Sequence, residues 1–351
     1  MKILLCEAAA DGHRRIYMEN LAALPFEVFC IGPENVGVPA DHYIPWDAED
    51  KLREPKNYKK WCALIAKCVK EHGIDLVHLL DGDTVMRHMG RRLAFGKARL
   101  VITYHHFFGG LLRRISYRLM TRRATAVAHT ESIVKNLKVA GVRRVKCIPY
   151  PSFEFEKTAS ADPKTCRTFF GIPDDTPVIG IVGALTAYKN ILPFLSAMQG
   201  CTADFRILIC GAESSVSAEQ IEEAISPYRA RVHTLLRRLT DEEYRAGIVA
   251  SDIIFSLYGP EFDGASGPLI DGVCAKKMIL ASSHGSLGEL ARGSHLGYTA
   301  DATSPADMQA AAERAIADCR SFSYDGAANA YRESLDPRLF AKAYQSLYES
   351  L

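Results

Sequence analysis

No apolar run in this 351-residue chain approaches the ~20 residues that a bilayer crossing requires, so a membrane-spanning helix is not expected. Cysteine occurs ten times, always singly, and never in a CxxC or Cys/His spacing that would grip zinc. Several cysteines sit inside apolar runs (Cys30 in EVFCIG, Cys210 in RILICG), as reduced packing residues do, which implies the cytoplasm. There is no Walker loop, no nucleophile triad motif and no nucleic-acid-reading module, and no nucleic acid is expected as a partner. Low-complexity tracts and fine repeats are missing too. The opening MKILLCEAAADGHRR is too short for a secretory core and soon meets Asp11, Gly12, His13 and two arginines, so residues 2–6 read as a buried strand.

Acids nearly vanish between residues 86 and 146. That stretch holds fifteen Lys or Arg and one acid, Glu131, a local balance of +14. The formal net charge of +2 therefore leaves −12 on the remainder. Such asymmetry points to an anionic partner for the basic region.

What is present is a strand–helix alternation. Strands read at 2–6, 27–31, 76–80, 100–104, 124–129 and 145–149, with helices at 14–24 and 58–72, the latter carrying Trp61, Leu64, Ile65 and Cys68 at helical spacing. After the irregular PYPSFEFEKTASADP the pattern restarts, with strands at 178–182, 205–210, 232–235, 253–257 and 278–282 and helices near 191–198, 218–224, 241–250 and 268–275. A last helix, 339–350, has no strand after it. Alternation of this kind predicts an α/β protein of two doubly wound, Rossmann-like domains with parallel sheets. They are placed at 1–155, with a C-terminal helix at 337–351 returning to it, and at 156–336. Ligands of such sheets bind beyond the carboxyl ends of the strands, and the informative residues follow the strands.

The segment SLYGPEFDGASGPLIDGVCAKKMILASSHGSLGEL follows a strand and opens a helix. Its small residues let a ligand approach the backbone, and a helix N-terminus offers amides to a phosphate. Asp263 and Asp271, eight residues apart, suit hydroxyl groups on either side of such an anion, although a pair of aspartates taken alone reads better as a turn residue and a helix-surface acid.

This segment resembles the donor-site signature of family 4 retaining glycosyltransferases of the GT-B fold, roughly E-G-F-G-L-x-x-x-E-A-x-A-x-G-x-P-V-I-A-S. Asp263-Gly264 falls on the first Glu-Gly, Asp271 on the second Glu, and Lys276-Lys277-Met278 replaces Gly-x-Pro. IVGALTAYKNILPFLSAM is similar to V-G-R-L-x-x-x-K-G, with Gly183 and Lys189 in place and Ala184 where arginine is usual. HTLLRRLTDEEYRAGIVASDIIFSLY resembles the stretch that holds the nucleotide base. LVITYHHFFGG resembles V-x-T-x-H-D, placing His105 on the active-site histidine and His106 on the Asp. IPYPSFEF stands where I-P-N-G-V-D is usual.

The resemblance implies two domains facing a central cleft, and transfer of a hexose-type sugar from a nucleoside diphosphate sugar to a hydroxyl of a glycan or lipid-linked acceptor. Retention, and a place in bacterial surface polysaccharide synthesis, go with it. It implies catalytic roles for His105, Asp263 and Lys189. Donor contacts would come from Gly12, Gly183, Lys189, Gly264, Ser266, Gly267 and Leu269, with the sugar on Asp263 and the ribose on Asp271. Neither cofactor nor metal is implied, since cations and helix dipoles neutralise the diphosphate. Two alternatives stay open: another GT-B enzyme such as a sugar-nucleotide epimerase, and a non-catalytic relative serving as a scaffold.

In LLRRISYRLMTRR, the stripe Leu111, Ile115 and Leu119 runs beside Arg114, Arg118 and Arg122, with Arg113 adjoining. A helix so composed suits an anionic membrane surface or a phosphate-bearing acceptor, and implies peripheral attachment to the inner face of the cell membrane. The competing reading buries the leucine stripe in the core and leaves the arginines solvated. The histidines at 78, 88, 129 and 233 read as structural.

Overall fold

The computed structural model describes residues 1–9, 14–33, 38, 40–47 and 49–351. Two compact units make up the chain: Met1–Tyr150 with Pro337–Leu351, and Pro151–Asp336.

The first unit carries a seven-stranded sheet of β1 (Lys2–Cys6), β2 (Glu27–Pro33), β3 (His42–Trp46), β4 (Leu76–Leu79), β5 (Arg99–Tyr104), β6 (Ala124–Ala128) and β7 (Val145–Cys147), in the order β3-β2-β1-β4-β5-β6-β7. The second carries six strands: β8 (Val178–Val182), β9 (Arg206–Cys210), β10 (Val232–Leu235), β11 (Ile253–Ser256), β12 (Met278–Ser282) and β13 (Gly297–Ala300), in the order β10-β9-β8-β11-β12-β13. All the pairings are parallel. Central strands such as β4, β6, β8, β11 and β12 are buried along their whole length, as helices on both faces require. The order reverses beside β1 in one sheet and beside β8 in the other, and the switch point opens a crevice at the carboxyl ends.

Two strands lie outside the sequence-based expectation, β3 and β13. Both are edges. HYIPW contains a proline, tolerable only where one side of the ladder is unpaired, and GYTA is short and mostly half-buried. Neither displays the long apolar run of a central strand.

The C-terminal helix Pro337–Ser350 buries Phe340, Tyr344, Leu347 and Tyr348 in the first unit. Its hydroxyls complete a polar network under the sheet. His78 joins the Tyr348 hydroxyl at 2.6 Å through Nδ1 and Thr103 Oγ1 at 2.8 Å through Nε2, and the Thr103 and Tyr344 hydroxyls meet at 3.2 Å. Burial pushes the His78 imidazole down to about 3, so it is a neutral core residue with both nitrogens satisfied.

Lys276, on the glycine of the resembling motif, keeps a left-handed backbone with φ of 54°. A side chain there costs roughly 1–2 kcal/mol, partly offset by the freedom that glycine loses on folding. Lys276→Gly should therefore raise stability by about 0.5–1 kcal/mol, read as a higher denaturation midpoint at unchanged slope. A lower midpoint would show that the lysine side chain matters more than its backbone. Its neighbour Lys277 packs inward, donating from Nζ to the Val249 carbonyl at 2.7 Å.

Candidate functional site

In the second unit, β8 ends at Val182 and is followed by Gly183, whose φ is 90°. A Cβ built there would lie 3.3 Å from Lys189 Nζ, 3.8 Å from the Tyr244 ring and 3.9 Å from Pro268. Gly183 is thus the point around which the site is gathered. Gly211, after β9, approaches so closely that its Cβ would sit 2.1 Å from the Gly183 carbonyl oxygen, which fixes the turn at both strand ends.

Lys189 comes from a short 3-10 turn, Ala187–Lys189, after β8. It is only 6% exposed, and its Nζ donates to the Val182 carbonyl at 3.1 Å. No carboxylate pairs with it among the described residues. Burial lowers its pKa to about 8. An ammonium buried without a counter-charge is costly, and an anion in the same place would offset that cost. Beside it, Thr186 Oγ1 is buried without a partner among the described residues.

The helix Gly267–Cys274 begins at the same place. Ser266 caps it, accepting from the Leu269 amide at 3.4 Å and meeting the Tyr258 hydroxyl at 3.0 Å. Pro268 has no amide to give and Leu269 is engaged by the cap. An anion at this terminus would therefore be met by Gly267, whose amide has no acceptor among the described residues.

Asp271, half-buried in the first turns of that helix, accepts from the Ser152 hydroxyl at 2.7 Å and the Tyr244 hydroxyl at 2.9 Å. Asp263 is otherwise engaged. Its Oδ1 accepts from the Ser286 amide at 3.0 Å and from the Ser286 hydroxyl, capping the helix Gly285–Gly293. Gly264 is buried beside it, and Ala184, on the usual arginine, is exposed. Arg237 donates twice to Glu243, at 2.8 and 2.5 Å, in the stretch compared to a base-binding loop.

The structure thus brings Gly183, Lys189, Ser266, Gly267, Leu269 and Asp271 together and adds Tyr244, Ser152 and Thr186, none of which sequence reasoning singled out. Tyr244 follows a Thr240/Glu243 capping box, a signal that places the helix but not its aim. Ser152 has no local signal. Gly12 lies outside the described residues.

In the first unit, His105 follows β5. Its Nε2–H donates to the Leu80 carbonyl at 2.8 Å, which leaves the Nδ1 lone pair as the acceptor of the neutral ring. Its amide and that of His106 donate to Asp83 Oδ2 at 3.1 and 2.9 Å. Burial raises the Asp83 carboxyl; burial would lower His106, but the Asp83 bond outweighs it and the imidazole is raised. Glu7, after β1, and Asp81, after β4, share Arg14 at 3.2 and 2.7 Å. Burial, then the charge of Asp81, pushes Glu7 up to about 7 against the pull of Arg14. His129, read as structural, donates from Nδ1 to the Ile148 carbonyl at 2.8 Å, and its ring lies tilted with its centroid 5.0 Å from that of His105.

The basic helix spans Leu111–Met120 and reverses the competing core reading. It buries Ser116, Tyr117 and Met120, while Leu111, Leu112, Ile115 and Leu119 are 74, 69, 37 and 46% exposed. Arg114, Arg122 and Arg123 are exposed, and Arg113 lies 4.8 Å over the Phe108 ring. Arg118 departs from its expected stripe. Its Nε donates to the Ala140 carbonyl at 2.7 Å, at the end of the helix Glu131–Val139, so its guanidinium serves packing as well as charge.

No protein-family model matches the chain, and no curated protein matches it in sequence. Solved structures do match it, in fold. A glycosyltransferase from Rickettsia africae is 18% identical over 99% of this chain and 98% of that one, with a TM-score of 0.78. HepE of Anabaena, solved with UDP, is 17% identical over 100% of both chains, with a TM-score of 0.77, and has also been solved with UDP-glucose. Sucrose-phosphate synthase from Thermosynechococcus elongatus is 17% identical over 100% of this chain and 98% of that one, with a TM-score of 0.75. The chain therefore has the GT-B fold of glycosyltransferases, as its sequence motifs imply.

Proposed function

We propose that the protein is a glycosyltransferase that moves a hexose-type sugar from a nucleoside diphosphate sugar to a hydroxyl of a glycan or lipid-linked acceptor. Retention at the anomeric carbon and a role in bacterial surface polysaccharide synthesis complete the reading. One observation carries it: the buried Lys189 ammonium, without an acidic partner among the described residues, lodged against Gly183 beside a helix N-terminus. Such a place suits a diphosphate. HepE, solved with UDP and UDP-glucose, makes uridine the first base to try.

In this reading Lys189 and the Gly267 amide take up the charge that develops on the departing diphosphate, with no metal needed. Asp271 receives the ribose, Asp263 and Gly264 the sugar, and His105 offers its Nδ1 lone pair to a hydroxyl. The enzyme works in the cytoplasm, with its basic helix against an anionic membrane.

A thermal-shift panel of UDP, GDP and ADP and their sugars tests the donor site, since a ligand at a hundred times its dissociation constant adds about 2.7 kcal/mol. Asp271→Ala should weaken the preferred nucleotide roughly ten- to hundredfold, a hydrogen bond to a charged group being worth about 1.5–3 kcal/mol. Unchanged affinity in a folded variant would remove Asp271 from the site. The bonds from Ser286 to Asp263 favour a second reading, a non-catalytic relative that binds nucleotide. Binding without sugar transfer or donor hydrolysis would select it.

A further inference from the structure

We propose that Ser152 is a positioning residue for Asp271, and that through it the nucleotide site is tied to the two stretches of chain that border the second unit. The inference rests on the donor-site reading above.

Ser152 belongs to IPYPSFEF, the segment that departs from the resembling family's pattern. The departure has a use. Ser152 is 1% exposed, and its hydroxyl donates to Asp271 Oδ1 across 119 positions of chain. Its amide donates to the Leu335 carbonyl at 3.0 Å. The second unit runs from Pro151 to Asp336, so that single residue links the unit's first and last segments to each other and to the carboxylate. On the other oxygen, Tyr244 donates at 2.9 Å from a ring that lies against Gly183.

Two neutral donors, one on each oxygen, fix the plane of a carboxylate without discharging it. Ribose hydroxyls must meet those oxygens in a set direction, and a carboxylate held in advance loses less freedom when they arrive. Because Ser152 is held at its backbone by Leu335, the orientation of Asp271 depends on that join. Occupancy of the site should in turn steady it.

The test uses the full chain and UDP, GDP and ADP as probes, with calorimetry for affinity and melting for integrity. Ser152→Ala keeps the backbone bond to Leu335 and should weaken the preferred nucleotide about tenfold, or about 1.4 kcal/mol. Ser152→Thr, which restores the hydroxyl, should recover most of that loss. In an Asp271→Ala background the same Ser152→Ala change should cost less than about twofold, because the group it positions is gone. In the wild type, nucleotide should slow hydrogen exchange at the Ser152 amide, and Ser152→Ala should reduce that protection. Full additivity of the two substitutions, or no loss from Ser152→Ala alone, overturns the proposal. Failure of the wild type to bind any of the three probes is read before any variant is made. It overturns the donor-site reading and this inference with it.

Discussion

Lys189→Met is expected to lower turnover by roughly 10²–10³ and nucleotide diphosphate affinity by about a hundredfold, while the protein without ligand becomes no less stable. The reason is the setting of the ammonium. It is buried, donates to a carbonyl, and has no carboxylate beside it among the described residues. Folding therefore takes a charge out of water uncompensated, which lowers the pKa from 10.5 to about 8. Between those values the unfolded chain binds the proton and the folded one does not, so wild-type stability should rise as pH climbs from about 8 to about 10.5. At about 1.4 kcal/mol per pH unit the full effect is roughly 3 kcal/mol, and Lys189→Met should abolish it.

A bound diphosphate reverses the logic. It favours the charged form, so binding near pH 8.5 should take up a proton, and affinity should weaken as pH rises further. Calorimetry in buffers of different ionisation heat reads that uptake directly. A variant with normal turnover, or a wild type that binds nucleotide without proton exchange, would mean that Lys189 is a packing lysine and the diphosphate lies elsewhere.

The other large effect is expected at the basic helix Leu111–Met120. Vesicles with anionic lipid should bind the protein, neutral vesicles should not, and high salt should release most of it. Each basic residue near an anionic leaflet is worth about 1 kcal/mol, and the attraction decays within roughly 8–10 Å. Reversing Arg114, Arg122 and Arg123 to Glu should therefore weaken binding on the order of 10³ or more. Arg118 is left intact because its Nε holds the Ala140 carbonyl. The exposed leucines give a second, salt-insensitive arm. Leu112→Ser with Leu119→Ser should also weaken binding, since burying a leucine side chain in the acyl boundary contributes about 1.5–3 kcal/mol. Co-sedimentation across a salt series decides it. Equal binding to both compositions, or none to either, would assign the basic face to a soluble anionic acceptor.

These two predictions also divide what was legible in the sequence from what was not. Strand–helix alternation, the restart after residue 150 and the motif at Asp263–Asp271 are local patterns, because a central parallel strand must be apolar along its length and a phosphate-binding turn must be small. From them came two doubly wound sheets and the place of Gly183, Lys189 and the helix at Gly267. Periodicity also marked Leu111, Ile115 and Leu119 as one face, but a period says which residues share a face, not whether that face finds a partner. Only packing decided it, by giving the core to Ser116, which donates to the Met86 carbonyl, and to Tyr117, stacked 5.3 Å from Phe107. The same holds for Ser152 and Tyr244. Each is an ordinary polar residue in its own stretch of sequence, and each came to donate to the Asp271 carboxylate only when folding carried it across 119 and 27 positions. The diversion of Asp263 to Ser286, 23 positions on, is equally a product of approach in space, since a side chain one methylene shorter than Glu bonds to whatever the fold brings within its reach.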